Sequence, residues 1–333
     1  MTGAFLLLYC VVTVSAFFSP SARTRTTSSL ASSSSVSSNF VKYQGLGNDF
    51  ILIDNTDAAI PHYTPQDAIK MCDRNFGIGA DGIIFALPGQ NGCDYTMRIY
   101  NSDGSEPQMC GNGIRCMALF LHEVVEQGRG GDAKSFKIWT NAGQIVPKLS
   151  PDGLILVDMG KPILAPASIP TLLGSGAAAG TLDGCAVNCQ LSVPLDNEHT
   201  VSYSATAVSM GNPHCIIFVE SLDEMDPSFA TVGPMVERHA MFPQKVNAEF
   251  VQVLSRSHVR LKVWERGAGP TLACGTGACA TVVAGVLAGK TERKCTVSLP
   301  GGDLLIEWQA EDEGGKIFMT GPAKKVFGGA YIR

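Results

Sequence analysis

Three pairs of polar landmarks in this chain of 333 residues repeat at one spacing. Cys110 and Cys274 are 164 residues apart, and so are Asn48 and Asn212, and Asn101 and Glu265. The surroundings match as well. Met109-Cys110-Gly111-Asn112-Gly113 answers Ala273-Cys274-Gly275-Thr276-Gly277, and Gly47-Asn48 answers Gly211-Asn212. Asn101 opens an N-S-D-G-S loop where Glu265 opens E-R-G-A-G. One glycine-rich loop can match by chance, but three in a common register mark a duplicated domain. Duplicated halves set equivalent residues across a pseudo-twofold axis, so the two cysteines are expected to face one cleft.

Each cysteine directly precedes a segment that is apolar on nearly every face, 113–126 in the first half and 277–287 in the second. A helix that is hydrophobic all round must be buried in a soluble protein. Strand-like runs surround both, at 51–53, 82–86, 95–100, 135–140 and 154–159, then at 215–219, 250–254, 259–264, 304–308 and 316–319. Gly, Pro, Asn and Asp separate many of them. The expected fold is α/β of the α+β type, with two pseudo-symmetric duplicated domains, each a curled mixed sheet around a central buried helix. A Pro-, Gly- and Ala-rich stretch at 162–184 sits between the halves, which are expected at 40–160 and 161–333.

Residues 1–39 stand apart. No Asp or Glu occurs before Asp49. An apolar run from 4 to 18 ends in the small residues Val14-Ser15-Ala16 and is too short to span a bilayer comfortably. A Ser/Thr-rich tract with Arg23 and Arg25 follows, which is transit-peptide composition. The order resembles a two-part plastid presequence, signal peptide then transit peptide, although the n-region lacks Lys or Arg. A plain secretory signal is the alternative.

Net charge is −5 and only 17% of residues are charged, so no basic footprint for nucleic acid is present. The 11 cysteines are odd in number and unevenly spaced, which reads as reduced thiols rather than a disulfide framework. Cys185-x3-Cys189 and Cys274-x4-Cys279 lack a paired His or Cys cluster and are weak zinc signals. Ala284-x4-Gly289-Lys290-Thr291 loosely matches a phosphate loop but lies at the end of an apolar helix, where it reads as a C-terminal cap.

A thiol at a helix N-terminus is expected to ionise more easily, to roughly pKa 3.5–7.5 in favourable cases. Two such thiols on opposite faces of one carbon can invert it. One removes the Cα proton while the other delivers a proton to the far side. The N–H groups exposed by the glycines after each cysteine would hold a carboxylate and stabilise the charge that spreads into it. No metal and no cofactor is called for by this chemistry. Rival readings are a proline racemase-like enzyme of the same fold, a thiol or zinc-binding protein, and a non-catalytic scaffold.

Gly45-Leu46-Gly47-Asn48-Asp49-Phe50, Asn101-Ser102-Asp103-Gly104-Ser105, Met109-Cys110-Gly111-Asn112-Gly113-Ile114-Arg115-Cys116, Gly211-Asn212-Pro213-His214 and Glu265-Arg266-Gly267 through Cys274-Gly275-Thr276-Gly277 resemble, as an ordered set, the motifs of the diaminopimelate epimerase family. The resemblance implies interconversion of LL- and meso-diaminopimelate, a late step toward lysine, by a homodimer without pyridoxal phosphate. It implies Cys110 and Cys274 as the catalytic pair. It implies Asn48, Asn101, Asn212, Asn247, Glu265 and Arg266 as substrate-binding residues, with Gly111, Asn112, Gly275 and Thr276 as carboxylate-binding amides. His214 is expected in a supporting role. One position departs from many bacterial members: Gly82 follows Asp81 where they often have Gln.

Overall fold

The apolar runs become strands, and the two all-apolar segments become the helices those strands surround. The computed structural model describes residues 37–127, 134–174, 181–182, 184–195 and 199–332, and one compact unit begins at Ser37. Nearly all of the presequence expected at 1–39 lies outside the described residues. Ser37 and Ser38 already pair with Ile332 and Tyr331 in the first sheet.

The first sheet contains β1 (Ser37–Gly45), β2 (Asn48–Asp54), β3 (Gly82–Pro88), β4 (Tyr95–Asn101), β5 (Ile138–Thr140) and β6 (Gly143–Ile145) in that spatial order. Next in the chain come β7 (Lys148–Leu149), β8 (Ile155–Asp158) and a small hairpin of β9 (Thr181–Leu182) and β10 (Cys185–Ala186). The second sheet is built from β11 (Cys189–Pro194), β12 (Thr200–Ser209), β13 (Pro213–Val219), β14 (Asn247–Ser255), β15 (His258–Glu265) with its side partner β16 (Gly269–Thr271), β17 (Lys294–Leu299), β18 (Gly302–Trp308) and β19 (Ile317–Gly321). A last strand, β20 (Lys324–Ile332), ends the described chain.

The duplication is visible in pairing sense. From β1 to β6 successive pairs run antiparallel, parallel, antiparallel, parallel, antiparallel. The series from β12 through β13, β14, β15 and β17 to β18 repeats it. Sheet membership nevertheless crosses the sequence halves. β20 pairs with β1 in the first sheet, while β7 and β8 join the second sheet through β19. The strand read at 154–159 thus serves the second sheet.

Helices α1 (Pro65–Cys72), α2 (Gly111–Phe120), α3 (Leu222–Glu237) and α4 (Gly275–Leu287) complete the fold, and α2 runs on as a π-helical turn to Glu126. The two central helices start 164 residues apart, as the repeat requires. Strand alternation feeds two layers. On β2, Phe50 and Leu52 face the core around α2, whereas Ile51 and Ile53 meet Ala68 and Met71 of α1. On β14, Val251 faces inward, whereas Ala248 and Phe250 meet Met225, Val232 and Val236 of α3. One buried cluster contains Ile114 and Met117 of α2, Ala278 and Val282 of α4, and Met319. That shared core, rather than two separate ones, holds the two helices together.

Neither α1 nor α3 is among the expected helices; α1 is short and α3 carries Pro227 and Pro234 inside it. A capping box at Thr64 and Asp67 starts α1, and burial against the sheets overrides weak propensity in both. At the end of α4, Gly289 takes φ +70° and Lys290 N–H returns to Gly285 O at 2.7 Å. That geometry is a helix C-cap, not a phosphate loop. Among the described residues no helix is long and apolar enough to cross a membrane.

Candidate active site

Both cysteines are the N-cap residues of the central helices, with nearly identical backbones: φ −135°, ψ 120° at Cys110 and φ −125°, ψ 107° at Cys274. The Cys110 sulfur accepts Gly113 N–H at 3.4 Å and the Cys274 sulfur accepts Gly277 N–H at 3.3 Å. The glycines are steric necessities. A Cβ on Gly277 would sit 3.2 Å from Cys274 Sγ and 2.8 Å from Glu249 Oε1. We expect Gly277→Ala to fold while displacing both atoms, lowering turnover by about tenfold or more as a misplaced reacting group does; steady-state kinetics beside a thermal melt measures this.

The two helix starts meet across the halves. Asn112 Nδ2 donates to Ala273 O at 3.4 Å, immediately before Cys274. Met319 fills the space beside both Gly111 and Gly275, where a Cβ would come within 3.1 Å and 3.0 Å of its side chain. Asn48, the first residue of β2, turns its Oδ1 to Cys110 Sγ at 3.8 Å and accepts from Asn112 Nδ2 at 3.2 Å. Its own Nδ2 is fixed by Asp81 Oδ2 at 2.7 Å, and Arg74 bridges Asp81 and Asp49 at 2.8 Å each. Asp81 and Arg74 were not among the expected site residues. Gly82 is confined as well, since a Cβ there would lie 2.7 Å from Tyr100 O.

The second half supplies a buried polar chain. Asn212 Nδ2 donates to Thr276 Oγ1 at 3.3 Å, and Thr276 Oγ1 lies 3.5 Å from Cys274 Sγ. Asn212 Oδ1 meets His214 Nε2 at 3.0 Å, and His214 Nδ1 meets Glu249 Oε1 at 2.6 Å with both side chains wholly buried. Asn247, the first residue of β14, accepts Arg266 N–H at 2.7 Å and lies 3.4 Å from His214 Nδ1. Glu265 accepts from the Thr271 hydroxyl. Arg266 is exposed and donates to Gln244 O at 3.1 Å. Asn101 lies at the end of β4 and donates to Ser105 Oγ at 2.9 Å within its own turn, with no direct bond to either cysteine. Glu249 escaped the sequence reading, although it lies two residues after Asn247 in a strand and therefore shares its face.

The thiol acidities correct one expectation. Burial pushes the Cys110 thiol up, and the Gly113 and Asn112 N–H groups only partly offset it. Cys274 is pushed well above the usual thiol range, first by burial and then by the carboxylates Glu265 and Glu249, against the Thr276 hydroxyl and Gly277 N–H. Desolvation of a thiolate outweighs the helix terminus here. Glu249 itself is raised to about 7 by burial, with His214 pulling it down. Burial also raises Glu265. Cys110 is half-buried, whereas Cys274 is buried.

The chain is similar to known proteins in sequence and in fold. The family model described as diaminopimelate epimerase matches residues 40–165 and 206–326. The chloroplastic diaminopimelate epimerase of Oryza sativa subsp. japonica is 55% identical over 297 residues, covering 88% of this chain and 80% of its own. The diaminopimelate epimerase of Acaryochloris marina is 56% identical over 292 residues, covering 88% and 98%. Among solved structures, a phenazine biosynthesis protein of the PhzF family from Bacillus anthracis superposes with a TM-score of 0.60 at 15% identity, covering 90% of this chain and all of its own. A probable proline racemase from Agrobacterium radiobacter K84 gives 0.59 at 12% identity, over 88% and 92%. These structures share the fold of duplicated sheets around central helices, and the sequence relatives fix the branch: this chain belongs to the diaminopimelate epimerase family.

Proposed function

We propose that this protein interconverts LL- and meso-diaminopimelate by cofactor-independent two-base epimerisation. The observation that supports it best is the pair of matched cysteine N-caps on two buried helices whose first turns touch through Asn112 and Ala273. Cys110 as thiolate removes the Cα proton and Cys274 as thiol delivers one to the opposite face. Glu265 opposes ionisation of both thiols, whereas Glu249 opposes that of Cys274, which favours this division. In the reverse direction the roles exchange. The amides of Gly111, Asn112, Gly275 and Thr276 receive the reacting carboxylate, where the charge of the carbanion collects.

Asn48, Asn101, Asn212, Asn247, Glu265 and Arg266 bind the remainder of the substrate, with Glu265 and the asparagines for ammonium and amide-range contacts and Arg266 for the distal carboxylate. His214 supports Asn212. Arg266→Ala should raise KM and lower kcat/KM about 10–100-fold, the range of one lost charged hydrogen bond of about 1.5–3 kcal/mol. A proline-exchanging enzyme has no distal amino-acid centre, so equal losses on diaminopimelate and proline would contradict the assignment. The direct test is substrate-dependent deuterium uptake at Cα in heavy water; no uptake from diaminopimelate with wild-type protein rejects the activity.

The duplicated halves, 40–160 and 161–333, act as one catalytic unit on this reading, and the protein works as a homodimer free of membrane once processed. The rice relatives carry the description chloroplastic, which together with the composition of residues 1–39 supports plastid delivery through a two-part presequence.

A further inference from the structure

Arg115 is the largest fully buried side chain of the described residues, at 0% exposure. Its guanidinium donates to Pro322 O at 3.1 Å, Gly111 O at 3.1 Å, Met319 Sδ at 3.5 Å and Asn112 Oδ1 at 2.8 Å. All four acceptors are neutral, and among the described residues no ion pair includes it. Gly45 makes room for it, since a Cβ there would lie 3.3 Å from its Nη2. Interior charges are normally paired, because an unpaired one is costly to desolvate. A guanidinium stays protonated even there.

The ionisable groups around Arg115 are the thiols of Cys110 and Cys116 on α2 and Cys279 on α4. Cys110 in turn feels Arg115 from α2 and the Glu265 carboxylate from the end of β15. The bonds of Arg115 lead to the site. Its contact with Asn112 Oδ1 leaves Nδ2 aimed at Asn48 and Ala273. Its contact with Gly111 O polarises the peptide whose N–H, that of Asn112, points to Cys110 sulfur. The duplication is broken here, since the residue 164 further on is Cys279. The second half has instead the acids Glu249 and Glu265 near its cysteine.

We propose that Arg115 is a positioning residue of the reaction: a permanent buried cation that, through the Gly111–Asn112 peptide and the Asn112 amide, stabilises the Cys110 thiolate and the negative charge arriving on the substrate carboxylate. The proposal rests on the two-thiol reading above.

The test uses the full chain carrying Arg115→Gln or Arg115→Lys. The pH dependence of Cys110 alkylation by iodoacetamide, read by mass spectrometry of its peptide, needs no substrate. Loss of the charge in the Gln variant should move the midpoint up by about one pH unit and lower kcat about 10²-fold with KM little changed. The Lys variant should keep the wild-type midpoint. A folded Gln variant with the wild-type midpoint overturns the proposal. So does a Lys variant whose midpoint rises, since it retains the charge; if the Gln variant does not fold, Arg115→Met, which also lacks the charge, is read in its place against the same two outcomes. Absence of deuterium uptake by wild-type protein rejects the epimerase activity but leaves the alkylation midpoint as an independent measure of Arg115.

Discussion

Cys110→Ala and Cys274→Ala each lower diaminopimelate turnover by about 10²–10⁴-fold, the contribution of a positioned acid or base. The double variant loses little more than either single one, because groups that act as a unit are not additive. Neither change should unfold the chain. The contacts of each sulfur are weak: Gly113 N–H at 3.4 Å and Asn48 Oδ1 at 3.8 Å for Cys110, Gly277 N–H at 3.3 Å and Thr276 Oγ1 at 3.5 Å for Cys274. Single-turnover conversion from either stereoisomer, with Cα deuterium uptake followed in parallel, measures both effects. Turnover within tenfold of wild type in either variant would remove that cysteine from the mechanism.

Glu249→Ala should carry the largest stability loss, about 3–5 kcal/mol, since it breaks a buried pair by deleting one partner. Glu249 Oε1 and His214 Nδ1 are 2.6 Å apart with no exposure of either side chain. Loss of the pair also releases Asn212, and with it the contact to Thr276 beside Cys274. Denaturant unfolding of Glu249→Ala and Glu249→Gln separates the two roles, because Gln preserves a hydrogen bond to the ring without the charge. The pH dependence follows from the raised carboxyl, which stands at about 7 in the fold against an ordinary 4.5. Between those values the folded chain holds the proton more tightly than the unfolded chain. The contribution of this group to stability is therefore present below about pH 4.5 and declines as pH rises toward 7. Glu249→Gln should flatten that part of the stability–pH curve; an unaltered slope would show that the carboxyl does not titrate there.

Much of the architecture was legible from local pattern. All-round apolarity after Gly-flanked cysteines placed α2 and α4, because a helix with no polar face has no stable place but the interior. The apolar run 82–86 was legible as a strand from its composition, and the structure extends it to Pro88. Less apolar or charged strands were not, among them Thr200–Ser209, which is interspersed with Ser and Thr, and Lys324–Ile332, whose partner β1 lies at the other end of the chain. The helix Leu222–Glu237 was hidden by two prolines that tertiary burial of Val232 and Val236 overrides.

The repeat of 164 residues, carried by Cys110 and Cys274, Asn48 and Asn212, and Asn101 and Glu265, determined by itself that two like halves would bring two thiols to matching helix starts. Spacing along a chain survives duplication and needs no third dimension to be read. Only the tertiary structure decided the electrostatics at those starts: burial that raises both thiols, Glu249 locked to His214, and Arg115 placed without a counter-ion among the described residues. Charge effects depend on distance and desolvation, and both are set by residues such as Met319 and Pro322 that reach the site from the far end of the sequence.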